Sequence, residues 1–275
     1  MKRFVSILCF LLIAQLTLIA QPRFQIEGEV VYSGDDVVFH EIDEHTWVGT
    51  GKMMSNESLY LLEGNDKAVL IDAGTNIKDL DKIVKSITSK PVMLVATHVH
   101  PDHTGASIDY FPELWVNKAD TVNMPMFMPD YKGKVNYLKD GETIELGGRQ
   151  LLVVFTPGHT PGSTTFIDKA AHYGFSGDSF GSGNLLLTTN FSTLEATCKK
   201  MSKIMAEYGI EKLYPGHYFG GNPETKKRVD DLEKISEGAL SGEIKGEENP
   251  NNRFGLNYII NQDGVRVNYS EQALN

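Results

Sequence analysis

Apolar and polar positions along this chain follow two periods, and each switch between them marks an element. Val37 to Gly49 and Leu59 to Leu62 have the pattern of extended segments, and Ala68 to Ile71 is a short apolar strand that stops at Asp72-Ala73-Gly74. From Asn76 the period lengthens. Ile77, Leu80, Ile83, Val84 and Ile87 fall on one helical face, behind a capping-box-like start formed by Asn76 and Asp79. Pro91 opens another buried strand, Val92 to Ala96, and Leu151 to Phe155 and His172 to Phe175 read as further strands. Ser192 and Glu195 predict a second capping box, followed by a helix whose inner face carries Leu194, Cys198, Met201, Met205 and Tyr208. A last helix is expected from Asn222-Pro223, because proline suits the first helical position, with Val229, Leu232 and Ile235 turned inward. After a polar stretch, a terminal hairpin turns at Gln262-Asp263-Gly264. No repeat, low-complexity tract or long linker interrupts this order, so residues 21–275 are expected to form one layered α/β domain with mixed sheets.

The first twenty residues stand apart from that pattern. Lys2 and Arg3 precede an apolar run from Phe4 to Ala20 whose centre has signal-peptide length. Residues 1–20 therefore read as a cleaved secretory signal, with cleavage after Ala20. The alternative is a membrane anchor, but Gln15 and Thr17 interrupt the run and a span needs about 20 apolar residues. The full chain carries 26 basic and 36 acidic residues, and loss of Lys2 and Arg3 leaves 24 against 36, a formal charge of −12. Such a surface repels phosphates, which argues against a nucleic-acid partner. With Cys9 in the signal, Cys198 is the one cysteine left, so no internal disulfide forms, and its helical position makes it a buried small hydrophobe. The expected product is a soluble periplasmic or secreted protein that acts on a small molecule, with no membrane contact after cleavage.

Candidate chemistry gathers where strands end. Val92 to Ala96 runs into Thr97-His98-Val99-His100-Pro101-Asp102-His103, four potential metal ligands within six residues. Residues two apart in an extended segment project to the same side, so His98 and His100 can grip one ion, and Pro101 turns the chain so that Asp102 and His103 reach a second. Alone, the stretch would also suit a solvated histidine loop or a helix cap. Three other loops reinforce the metal reading: His159 within Thr156-Pro157-Gly158-His159-Thr160-Pro161-Gly162, Asp178 within Ser176-Gly177-Asp178-Ser179, and His217 after Pro215-Gly216. Each follows a strand in a glycine-containing turn. His40, His45 and His172 have no such setting and are assigned surface or ordinary hydrogen-bonding roles.

In this order and at these intervals, the His-x-His-x-Asp-His stretch, the two Gly-His pairs and the Gly-Asp pair resemble the metallo-β-lactamase superfamily, from about Val37 to His217. The resemblance implies a four-layer αββα sandwich with a dinuclear site at one edge. His98, His100 and His159 would hold the first metal and Asp102, His103 and His217 the second, with Asp178 bridging. Asp72 matches an upstream aspartate that supports such a site from behind; a turn-stabilising aspartate is the alternative. Nitrogen and oxygen donors suit two zinc ions, and iron or manganese would also accept them. Zinc-bound water has a pKa near 7, about what a hydrolase needs without a serine or cysteine nucleophile. Asp102 is the candidate for proton transfer, and Ser163 and Ser179 read as loop residues. In lactamases built only from histidine and aspartate ligands, the residue after the aspartate, here Ser179, matters more.

The substrate is written less clearly, because in a fold of many functions it depends on loops around the site. Gly49 to Ser58, with Met53 and Met54 at its tip, has the composition of a mobile flap, and Phe127, Phe180 and Tyr218 are candidates for either pocket or core. The expectation is an exported metallo-hydrolase of esters, lactones or amides. Alternatives within the same fold are a β-lactamase without a cysteine ligand, a glyoxalase-II-like thioesterase or phosphodiesterase, and an iron-dependent oxidoreductase.

Overall fold

Alternate residues of single strands face different cores, and this builds the layers. The computed structural model describes residues 26–251 and 254–275; the predicted signal, residues 1–20, lies outside them. The first sheet contains β1 (Val30–Ser33), β2 (Val37–Asp43), β3 (Thr46–Gly51), β4 (Ser58–Glu63), β5 (Ala68–Ile71), β6 (Val92–Val95), β7 (Glu113–Val116) and β8 (Lys134–Tyr137), in sequence order. It is antiparallel up to β5 and parallel from β5 to β8. The second sheet takes β9 (Thr143–Glu145), β10 (Gln150–Phe155), β11 (Thr164–Asp168), β12 (Tyr173–Gly177) and, past β13 (Asn184–Leu187), β14 (Lys212–Pro215), in the order β14-β12-β11-β10-β9.

Tyr60 and Leu62 of β4 point into a core shared with Val153 of β10, Phe166 of β11 and Phe175 of β12, so the two sheets pack face to face. Leu59 and Leu61 point the other way, against Leu80, Ile83 and Val84 of α1 (Leu80–Ile87). On the far side, Val154 and Ile167 of the second sheet meet Leu194, Cys198, Met201 and Met205 of α3 (Phe191–Tyr208), and α4 (Lys226–Ser241) packs beside α3 through Val229, Leu232 and Ile235. A short helix, α2 (Met124–Phe127), lies between β7 and β8 with no buried residue. The result is the expected order of helix, sheet, sheet and helices. Among the described residues, no helix is long and apolar enough to cross a membrane.

Several expected boundaries shift. Val37 to Gly49 is not one extended segment but parts of β2 and β3, folded back at Glu44-His45, where His45 takes a left-handed φ of 68°. Asp79 is also left-handed, at φ 54°, so α1 starts after it rather than at Asn76. The N-cap of α3 is Asn190, whose side chain accepts the Thr193 amide at 2.8 Å, two residues before the expected Ser192. Asn222-Pro223 does not open α4. Glu224 pairs with Leu213 through two backbone hydrogen bonds, which holds the chain extended until Thr225 caps the helix. The terminal hairpin forms as expected. β16 (Tyr258–Gln262) and β17 (Val265–Tyr269) are joined by Asp263 and Gly264, both left-handed, and form a third sheet with β13 and β15 (Glu247–Glu248).

Strand direction explains where chemistry collects. β5 and β6 are parallel; β10, β12 and β14 also run in one direction, since β11 is antiparallel to both β10 and β12. Asp72, the His98 to His103 stretch, His159, Asp178 and His217 each follow the end of one of these strands, and the folded sheets bring them to one edge.

Candidate metal centre

The seven donors predicted from sequence come together in two groups. His98, His100 and His159 offer ligand atoms within 4.8 Å of one another, and Asp102, His103, Asp178 and His217 form the second set on the same criterion. In the first, His98 Nε2 lies 3.1 Å from His100 Nδ1 and 3.2 Å from His159 Nε2, and the latter two nitrogens are 3.0 Å apart. In the second, His217 Nε2 is 3.4 Å from Asp102 Oδ2. Asp178 stands between the groups, with Oδ2 at 3.7 Å from His159 Nε2 and 3.5 Å from His217 Nε2, and Oδ1 at 3.7 Å from His103 Nε2. Gly216 leaves room for this approach, since a Cβ there would lie 2.3 Å from Asp178 Oδ1.

A cation fits these donors on two counts. Three mutually adjacent imidazole nitrogens cannot all be satisfied by one another's protons, whereas a shared cation meets every lone pair. His103 Nε2 and Asp178 Oδ1 are buried without a hydrogen-bond partner, and both face the second group.

The remaining imidazole nitrogens are held from outside. Asp72 Oδ2 accepts His103 Nδ1–H at 2.7 Å, while its two oxygens take the Thr97 amide and hydroxyl at 2.7 and 2.8 Å. It thereby orients one donor and the loop of another, as the supporting reading of Asp72 expects. His159 Nδ1 donates to Leu186 O at 2.8 Å, and His217 Nδ1 to Ser55 O at 3.3 Å. These partners leave Nε2 of each ring turned toward the centre.

The two groups differ in charge. Burial, then the neighbouring imidazoles, lowers His98 well below the usual imidazole range and His100 to about 3. Burial opposes charge in the second group too, but carboxylates outweigh it. Asp72, Asp102 and Asp178 hold His103 well above its ordinary value, and Asp178 and Asp102 raise His217 to about 10. Against burial, His217 and His103 depress Asp178 well below the carboxylate range.

Phe127 meets His100 edge-on, with ring centroids 5.2 Å apart, and so stands at the mouth of the first group. At the other end the flap reaches His217 through Ser55, and Met53 at its tip is 60% exposed. Glu57 anchors that flap, accepting the amides of Met54 at 2.9 Å and Thr75 at 3.2 Å. Phe180 is core, packed under α3 and α4, and Tyr218 stacks edge-on against Tyr214. Ser163 bonds within its loop to Thr160, and the Ser179 hydroxyl pairs with Thr156 Oγ1 at 2.8 Å. Cys198 is buried in α3, and His45 and His172 lie outside the site.

Asp120 was not legible as part of this site. It is fully buried, and its carboxylate takes the amides of Val99 and Gly162. Neither its neighbours nor its spacing distinguishes it from any aspartate in a turn.

The sequence model of the metallo-beta-lactamase superfamily matches residues 55–217. The acyl-coenzyme A thioesterase MBLAC2 of Homo sapiens is 28% identical, covering 58% of this chain and 72% of the relative, and the Gallus gallus protein of the same name is 25% identical over the same shares. Among solved structures, a metallo-beta-lactamase family protein from Thermus thermophilus superposes with a TM-score of 0.56 at 18% identity, covering 74% of this chain and 82% of that one. A mutant flavo di-iron protein from Thermotoga maritima gives 0.54 at 18% identity, over 75% and 63%. These structures share the fold.

Proposed function

This chain belongs to the metallo-β-lactamase superfamily, and on that premise we propose that it is an exported, dinuclear zinc hydrolase that cleaves an acyl bond of a small molecule, with a thioester as the first candidate. The observation that carries this reading is the pair of donor groups joined by Asp178. The thioester preference draws on the similarity to the acyl-coenzyme A thioesterases, and export on the apolar run behind Lys2 and Arg3.

In this reading His98, His100 and His159 would hold one ion and Asp102, His103 and His217 the other, with Asp178 available to both groups. Bound zinc would supply a hydroxide nucleophile near neutral pH and polarise the acyl carbonyl. The chain supplies the rest. Asp102 retains partial exposure and sits beside His217, which would suit it to carry the proton left on the added hydroxyl to the leaving sulfur or oxygen. Phe127 and the flap border the mouth and exclude water from the acyl group, while Asp72 keeps His103 oriented.

The test is metal analysis of protein purified without added metal, followed by hydrolysis assays with chromogenic acyl thioesters, esters and lactones and a cephalosporin. His100→Ala serves as control. The expected outcome is two zinc ions per chain and turnover of an acyl substrate that the control lacks. Zinc-loaded protein inert toward every class would overturn hydrolysis, and bound iron with oxygen consumption would replace it with redox chemistry. Fast cephalosporin turnover would move the substrate to β-lactams.

A further inference from the structure

The three-histidine group is assembled from two sheets. His98 and His100 follow β6 of the first sheet, and His159 follows β10 of the second. Their loops meet over a third segment, the 3-10 turn Lys118–Val122, whose Asn117 cap accepts the Ala119 amide at 3.0 Å. From that turn the Asp120 side chain reaches both. Oδ2 accepts the amide of Val99, the residue between His98 and His100, at 2.6 Å. Oδ1 accepts the amide of Gly162, three residues past His159, at 2.7 Å. Contact is close enough that a Cβ at Gly162 would lie 2.5 Å from Asp120 Cβ.

We propose that Asp120 is the positioning residue of the three-histidine group, a buried carboxylate whose two oxygens fix the loops of His98, His100 and His159 at the spacing one cation requires. Three features on the structure carry this. Asp120 is fully buried, no basic side chain forms an ion pair with it among the described residues, and its short bonds go to backbone amides of donor-bearing loops. A buried carboxylate without a counter-charge is costly unless hydrogen-bonded, so its placement constrains both amides strongly. The three rings include no opposite charge to draw them together, so their spacing depends on the loops that carry them.

The inference rests on the dinuclear reading, and the experiment separates the two. Full-length chain stripped with a chelator is titrated with zinc in competition with a chromophoric chelator. His217→Ala isolates the three-histidine group, and His159→Ala isolates the group with Asp102 and His103. Asp120→Asn keeps the shape but offers one oxygen and one NH₂, so one backbone amide faces a donor. Expected is a zinc affinity loss of about 10- to 100-fold in the His217→Ala background, the range typical of a supporting residue. In the His159→Ala background the loss should stay below about threefold, within one decade. Equal losses in both, or none in the first, would overturn the proposal. Unaltered protein binding fewer than two ions would overturn the dinuclear reading instead. Should Asp120→Asn fail to fold by circular dichroism, Gly162→Ala displaces the same carboxylate without removing it and carries the same expected selectivity.

Discussion

The two halves of the metal centre are held in place by different forces. His98, His100 and His159 present ring nitrogens 3.0 to 3.2 Å apart, and burial, then the neighbouring imidazoles, disfavours the charged form of His98 and His100. That half contains no carboxylate and is the neutral one in that sense. In the other half Asp102, Asp178, His103 and His217 form a mesh of opposite charges that overcomes the cost of burial. The lesson is a division of labour. The charged half maintains its own geometry, whereas the neutral half borrows its geometry from the backbone.

Asp178 is where the comparison can be broken most severely, as it is the carboxylate within reach of both halves. Asp178→Ala removes the anion from the charged half and the link to the neutral one. Zinc content should fall below two per chain, and kcat/KM for the best acyl substrate should drop on the order of 10³-fold, about 4 kcal/mol of transition-state stabilisation. Steady-state kinetics with metal analysis measure this. Full activity in a protein that still holds two ions would show that Asp178 does not join the two halves.

The loop that carries Asp178 is fastened on its far side by Glu224, which provides the next test. Glu224 Oε1 accepts the Ser182 amide at 2.6 Å, and Oε2 lies 3.5 Å from Arg228 Nε. Ser182 and its flanking glycines are all left-handed, so the loop needs that hold. Burial raises the Glu224 carboxyl from 4.5 to about 7, with Arg228 opposing. The folded state therefore binds more protons between those values than the unfolded chain. Stability from this group is full below about 4.5 and is lost as pH rises through 7, with roughly 3 kcal/mol as the ceiling. Urea denaturation of chelator-stripped protein at pH 5 and pH 8 should show that fall, and Glu224→Gln should flatten it. Slope is the readout, since glutamine deprives Arg228 of its partner at every pH. An unchanged slope would mean that Glu224 does not titrate in the fold.

What could be read in advance follows from distance along the chain. All seven candidate donors lie in short loops after strands, where a glycine or a proline stands beside histidine or aspartate, so the residues that the fold brings together could be picked out from local sequence. The apolar run Leu59 to Leu62 marked a strand, but that Tyr60 and Leu62 face one core and Leu59 and Leu61 another is visible only in the packed sheets. Asp120 and Glu224 left no such trace, because their partners Val99, Gly162 and Ser182 are 21 to 42 residues away and become neighbours only once the sheets pack. The turn between β2 and β3 escaped notice for a local reason. His45 adopts the left-handed conformation that a glycine or asparagine would have signalled, and the apolar pattern resumes at once with Trp47 and Val48.

The smallest expected effect sharpens the division between the halves most directly, because it mirrors the Asp120 variant. Asp72 touches the charged half through the His103 ring at 2.7 Å, whereas the short bonds from Asp120 to the neutral half go to backbone amides of its loops. Asp72→Asn keeps an acceptor for the Thr97 amide but weakens the carboxylate–imidazole bond that orients His103. Zinc affinity should fall about 10-fold in the His159→Ala background, where the charged half stands alone. It should change by less than about threefold in the His217→Ala background, within one decade. Together with the Asp120→Asn result, this would give two buried aspartates with opposite selectivity. Asp72 also bonds Thr97, beside His98, so a comparable loss in both backgrounds would show that its hold on the shared loop outweighs its hold on His103. The halves would then depend on a common support, not on separate ones.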